Sequence, residues 1–250
     1  RDRLRSRGLG DVYKRQMRAC HISLSADDKY IFTAGYHDGK ASVVRINPDG
    51  SVGEMTAEVF HKGMGSIAER NYRPHITCAR ITPDGKFLTA SDVGLDQVKL
   101  YGFDAKTGAI KLVDILRCEL ESSPRSMIFS PDGRFAYLIC QLKNCVNVYT
   151  YNSDDGMPHF EMIQQISTLG KSYNDKSAVA AIKQSVDGKY IFCSNAGDNS
   201  IAFFVRDEKT GMLTKNCVLP ISGDYPKNMC IFTDNKHICL LYTSPSPRDR

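Results

Sequence analysis

Residues 124–144 read PRSMIFSPDGRFAYLICQLKN. Two alternating apolar runs flank the pair Asp132-Gly133, and Asp-Gly between such runs is the strongest short-range signal for a β-hairpin. The same pattern occurs as CHISLSADDKYIFTAGYHDG (20–39), CARITPDGKFLTASDVGLDQ (78–97), AAIKQSVDGKYIFCSNAGDNS (180–200) and PKNMCIFTDNKHI (226–238). The other turns fall at Asp27-Asp28, Asp84-Gly85, Asp187-Gly188 and Asp234-Asn235, giving spacings along the chain of 57, 48, 55 and 47 residues. Self-similarity at this period marks a repeat architecture.

Each repeat offers two more strands. In the second they are residues 97–103 and 110–115, in the third 145–151 and 160–166, and in the fourth 200–205 and 212–219, each pair bracketing a polar turn. Four short strands per unit of about 40–50 residues is the pattern of a propeller blade. No segment holds a 3.6-residue apolar period, so the fold class is all-β: four-stranded antiparallel blades, without long helices. Residues 60–73 and 167–177 read as surface loops. The segment 17–238 contains four blades and the first strand of a fifth, about four and a half of the seven blades named below.

The chain has 250 residues and a formal charge of +5. That charge lies in the tails. Residues 1–16 carry six basic and two acidic groups, residues 239–250 two and one, and residues 17–238 hold 25 of each sign. A neutral body gives no electrostatic footprint for a nucleic-acid partner. No window approaches the roughly 18 apolar residues of a membrane span. The two tails are also related through the genetic code. Residues 6–16 can be encoded so that the complementary strand, read one base later, spells CLLYTSPSPR and the start of an Asp codon, which matches residues 239–249. The coding string resembles a transposon-type sequencing adapter read in both directions. Residues 1–16 and 239–250 are therefore expected to be non-native tails outside the ring, with the native chain continuing past Ile238.

Positions equidistant from a hairpin turn face each other. Arg125 and Gln141 each lie eight residues from Gly133 and are expected to meet at one end of the third blade. The equivalent pairs are Cys20 with Tyr36, Thr77 with Val93, and Ala180 with Ala196; Lys227 holds the Arg125 slot in the last repeat. The innermost strands line the channel, which collects His21, His75, Arg125, Gln141, Lys183 and Lys227 as candidates. His37, His61 and His159 read as exposed loop residues. Asp92, Asp96 and Asp198 recur at equivalent positions and read as turn caps rather than a calcium set.

Four stretches carry a family resemblance: Arg73-Pro74-His75, residues 91–98 (SDVGLDQV), Ser123-Pro124-Arg125, and residues 194–201 (SNAGDNSI). Together they resemble the lactonase family of seven-bladed β-propellers, with its 6-phosphogluconolactonase and carboxymuconate cyclase types, over essentially all of 17–238. The resemblance implies hydrolysis of a sugar lactone. On that reading His75 is the base, Arg125 clamps an oxyanion or a phosphate, and His21, Lys183 and Lys227 contact the substrate. The chain departs from the family pattern at four places. Gln141 stands where the family has Glu, Ala196 where it has Arg, Ser126 where it has His, and Thr77 where it has the second His of P-H-x-H.

The cysteines show no C-x-x-C and no zinc-ligand spacing with His, so no metal is expected. Several sit in apolar strand runs, where a thiol behaves as a small hydrophobe, and the cytoplasm is the expected compartment. No dinucleotide, Walker or G-x-S-x-G pattern occurs, and no cofactor is expected. The partner expected is a small-molecule sugar lactone, with neither nucleic acid nor membrane; the oligomeric state is left open. Two functions follow: a lactone hydrolase, or a non-catalytic propeller that binds a sugar acid or a protein.

Overall fold

A computed structural model describes residues 18–65, 73–171, 173, 175–234 and 236–243. Blade 1 is β1 (Ala19–Leu24), β2 (Tyr30–Gly35), β3 (Lys40–Ile46) and β4 (Val52–Phe60). Blade 2 is β5 (Ile76–Ile81), β6 (Phe87–Asp92), β7 (Gln97–Phe103) and β8 (Ile110–Arg117). Blade 3 is β9 (Pro124–Phe129), β10 (Phe135–Cys140), β11 (Cys145–Asn152) and β12 (His159–Ser167). Blade 4 is β13 (Ala178–Gln184), β14 (Tyr190–Ala196), β15 (Ser200–Arg206) and β16 (Leu213–Pro220), and β17 (Asp224–Ile231) with β18 (Ile238–Thr243) forms a two-stranded fifth unit. Every sheet is an antiparallel meander in chain order, and no helix occurs among the described residues. The first strands of successive blades touch one another, so β1, β5, β9, β13 and β17 form the inner wall.

The repeated turn has a local cause. In four hairpins a hydroxyl two residues before the Asp donates to that carboxylate and accepts the N–H of the residue that opens the next strand. For Ser130 the bonds are 2.5 Å to Asp132 Oδ1 and 3.0 Å from Phe135 N. Ser25, Thr82 and Ser185 make the same pair of bonds. The residue after each Asp has positive φ (55° at Asp28, 71° at Gly85, 73° at Gly133, 68° at Gly188), which is why Gly fills three of the four places.

Packing runs between blades. One apolar cluster joins Tyr30, Phe32 and Val43 of blade 1 to Ile76, Leu88 and Tyr101 of blade 2. Another joins Val98 and Leu100 of blade 2 to Met127 and Leu138 of blade 3, and a third joins Tyr137, Ile139 and Val148 to Ile182, Ile191 and Phe204 of blade 4. Among the described residues, each of the two terminal units is covered on one side only. Ile22 and Leu24 on β1, and Leu241 and Tyr242 on β18, are exposed apolar residues.

Two expectations are corrected. Residues 239–243 do not stand apart from the blades: they form most of β18, with Cys230 opposite Cys239 and Met229 opposite Leu240. An apolar run after an Asp turn closes a hairpin whatever DNA encodes it. The loop expected over 60–73 begins at His61, because Phe60 ends β4; residues 66–72 lie outside the described residues, as do 1–17.

Interblade packing predicts a simple contrast. Phe204→Ala, deleting a ring with no exposed surface, should cost about 3–5 kcal/mol in chemical denaturation. Its half-covered neighbour Val205 should cost well under half of that on truncation to Ala.

Candidate functional site

The inner strand of each blade is one residue too long for its hairpin. Register shifts between Ala19 and His21 on β1, between Ile76 and Cys78 on β5, and between Val179 and Ala181 on β13. On β9, Ser126 pairs with Ile139 but Pro124 with Cys140. The unpaired residues are therefore Cys20, Thr77, Arg125 and Ala180, one slot in four blades, and Lys227 lies in the corresponding shift of β17. A β-bulge bends its strand and re-aims the extra side chain, and bulges gather beside active sites. Here the slot points at the mouth of the channel. Equidistance from Gly133 thus errs in register, since Gln141 N bonds Ser123 O rather than Arg125, yet it identifies the right end of the blade.

Arg125 is tied on three sides. Its Nε donates to Ala180 O of blade 4 at 2.8 Å, its Nη1 to Gln141 Oε1 at 2.7 Å, and its own carbonyl accepts from Thr77 Oγ1 of blade 2 at 2.6 Å. Burial lowers its pKa from 12.5. The Arg125–Gln141 pair divides two cavities. One, about 450 Å³, is walled by Arg18, Cys20, Tyr36, His37 and Thr77 as well as by the pair. The other, about 950 Å³, adds Lys176, Tyr225 and Lys227.

Not every candidate reaches these cavities. His75 is buried behind the wall: its ring stacks on Tyr36 (4.2 Å, 11°), and its Nδ1 lies 2.8 Å from Tyr36 O. It precedes the bulge by two residues, which turns it toward blade 1. His21 follows the bulge by one residue and faces the next blade, with Nε2 3.6 Å from Cys78 Sγ. Lys183, three residues past the bulge and opposite Phe192, lines neither cavity. Arg125, Gln141 and Lys227 do come together.

His61 overturns its reading as an exposed loop residue. Its side chain is fully buried, with Nδ1 2.6 Å from Asp92 Oδ2. Burial lowers the imidazole pKa, against the opposing pull of Asp92. Asp92 Oδ1 meanwhile accepts the N–H groups of His75 (2.8 Å), Gly94 (2.9 Å) and Leu95 (3.2 Å). Asp96 accepts from Glu121 N and Ser123 N of the incoming blade, both at 2.8 Å. These carboxylates cap the connections that present Tyr36 and Arg125. His37 is exposed as expected but stands in the cavity wall, and His159 is exposed beside Asp155. His37 carried a sequence signal, being next to the Tyr36 slot; His61 carried none.

The family model "Lactonase, 7-bladed beta-propeller" matches residues 2–242. The chain belongs to this family. The 6-phosphogluconolactonase of Bacillus subtilis is 31% identical over 209 residues, 84% of this chain and 58% of that protein. A putative 6-phosphogluconolactonase from Bacteroides fragilis superposes with a TM-score of 0.77 at 32% identity, covering 89% of this chain and 62% of the other. The periplasmic gluconolactonase PpgL of Pseudomonas aeruginosa gives a TM-score of 0.79 at 26% identity, covering 88% and 61%. The lactonase chain thus spans about three-fifths of the length of these relatives.

Two predictions concern this lactonase frame. Asp92→Ala leaves the buried His61 and three N–H groups without their acceptor, and should cost about 3–5 kcal/mol in denaturant unfolding. The second concerns the His21–Cys78 contact. Burial pushes the Cys78 thiol up, but the hydrogen bond and charge of His21, with Arg80, bring it down to about 6 from 9.0. Because the folded value is the lower, this stabilisation is full above the unfolded pKa and is lost as pH falls through about 6. Thiolate absorbance at 240 nm should show a transition there that Cys78→Ala removes and His21→Ala moves upward.

Proposed function

We propose that the whole protein is a sugar-lactone hydrolase of the 6-phosphogluconolactonase type, acting in the cytoplasm in the oxidative branch of carbohydrate metabolism. The observation that carries this is the Arg125 guanidinium, held at the cavity divide by Gln141 and Ala180. Two of its N–H groups are used in those bonds, and its other donors, which make no hydrogen bond among the described residues, can meet a developing oxyanion or a phosphate. Water adds to the lactone carbonyl, the C1–ring oxygen bond breaks, and the ring oxygen takes a proton. Preorganised donors stabilise the charge that develops on the carbonyl oxygen. Lys227 supplies a second cation across the adjoining cavity, suited to an anionic substituent on the sugar. His75 fixes the Tyr36 wall, and Gln141 fixes Arg125. Cysteine usage supports the cytoplasmic assignment, with Cys140 and Cys193 packed as small hydrophobes in buried strands.

A second reading is favoured by one observation: the group bonded to Arg125 is the Gln141 amide, which cannot accept a proton from water. A propeller that binds a sugar acid without turning it over fits that amide, and fold does not decide between the two. The test is hydrolysis of glucono-lactone 6-phosphate by the uninterrupted gene product, corrected for spontaneous opening. Arg125→Ala should lower kcat/KM roughly ten- to a hundred-fold through loss of a charged contact of about 1.5–3 kcal/mol. Gln141→Glu should leave activity unchanged or raise it. Hydrolysis no faster than the spontaneous rate in wild type, with gluconate 6-phosphate still bound, would establish the binding protein.

A further inference from the structure

We propose that the His37 imidazole is the base that takes the proton from the attacking water, an inference that rests on the lactonase reading above. It follows from what walls the smaller cavity. Among the described lining residues the ionisable groups are Arg18, Cys20, Tyr36, His37 and Arg125. The two arginines are permanent cations with no lone pair to offer. Desolvation raises the Cys20 thiol's pKa although the residue is exposed, and its Sγ contacts the carbonyls of Ala34 and Ile76, each at 3.4 Å, and of Thr77 at 3.8 Å. The Tyr36 phenol is a donor, and Gln141 is an amide. Asp175 lines only the adjoining cavity, where its Oδ1 accepts Lys176 N at 2.7 Å. His75 is turned away behind Tyr36. His37 is left as the side chain with an acceptor nitrogen and access to water.

Its placement is fixed although it is exposed. The His37 ring stands edge-on to Tyr36 (5.3 Å, 85°), and Tyr36 is held from behind by the stacked, hydrogen-bonded His75. The base and the Arg125 clamp therefore approach one substrate from blades 1 and 3. The step balances: the water oxygen bonds C1 as its proton passes to His37, and Arg125 donors hold the oxyanion. The C1–ring oxygen bond then breaks, and the imidazolium returns the proton to the ring oxygen, giving the hydroxy acid.

The experiment uses the uninterrupted gene product and glucono-lactone 6-phosphate across pH, with circular dichroism to confirm folding of each variant. A general base contributes about 10²–10⁴-fold. His37→Ala should lose kcat by that order with KM little changed, and added imidazole should restore part of it. His37→Asn should abolish the acid limb of the kcat/KM profile. Cys20→Ser should keep that limb, which separates His37 from the thiol. An active wild type whose His37→Ala variant retains kcat within about threefold, or loses activity only through KM and is deaf to imidazole, overturns the assignment while leaving the lactonase reading intact. A wild type no faster than the spontaneous reaction overturns both.

Discussion

One extra residue in the inner strand of each blade decides which side chains face the channel mouth. Without the bulge, strict alternation along β9 would set Arg125 by its neighbours' pattern, half of which faces an adjoining blade. With it, Arg125 leaves the ladder and reaches Gln141 and Ala180 O at the channel mouth. The same displacement puts Cys20 and Thr77 into the wall of the same cavity. The residues just past the bulge are turned the other way: His21, Cys78 and Ser126 contact one another across three blades, at 3.6 and 3.7 Å. A one-residue offset thus separates side chains that line the mouth from side chains that contact one another between the blades.

Such an offset holds only if the neighbouring blades are pinned at the same level, and buried carboxylates do this. Asp92 gathers His61 from the end of blade 1 and His75 from the start of blade 2; Asp96 gathers Glu121 and Ser123 from the start of blade 3. Blade 4 makes a related contact with an amide, where Asn195 Nδ2 donates to Thr168 O and to Ser200 Oγ, both at 3.0 Å. The connections into blades 2 and 4 are thereby fixed to the blade they enter, and the connection into blade 3 to the blade it leaves. The apolar clusters then fill the space behind the channel, so errors in blade spacing are resisted by close packing as well as by hydrogen bonds.

The blades were legible because their signals are local. A Ser or Thr two residues before Asp, a Gly after it and an aromatic beyond that write the hairpin into six consecutive residues. The end of the blade that carries the site was legible for the same reason, since it lies a countable distance from the turn. Bulges were not, because an inserted residue leaves no mark in an alternating run that reads equally well in either register. His21 and Lys183 stand one and three residues beyond the slots at Cys20 and Ala180 and line neither cavity, whereas Arg125, Gln141 and Lys227 line the same one. His61 was illegible for another reason: its partner Asp92 lies 31 residues away, and only blade packing brings them together.

The frame and the slot vary independently, and this bears on how the lactonase family changes function. Turns and interblade clusters recur from blade to blade, but the slot itself holds Cys20, Thr77, Arg125, Ala180 and Lys227: a thiol, a hydroxyl, two cations and a methyl. None of the four apolar clusters includes a slot residue. Exchanging Glu for Gln at position 141, or His for Thr at position 77, therefore alters the chemistry at the mouth without disturbing the packing that holds the ring. The same independence lets polar groups at the mouth come from different blades, as Thr77, Arg125 and Lys227 do. On the proposed reading, a proton acceptor needs only to face Arg125 across the shared mouth, and the blade that supplies it is immaterial.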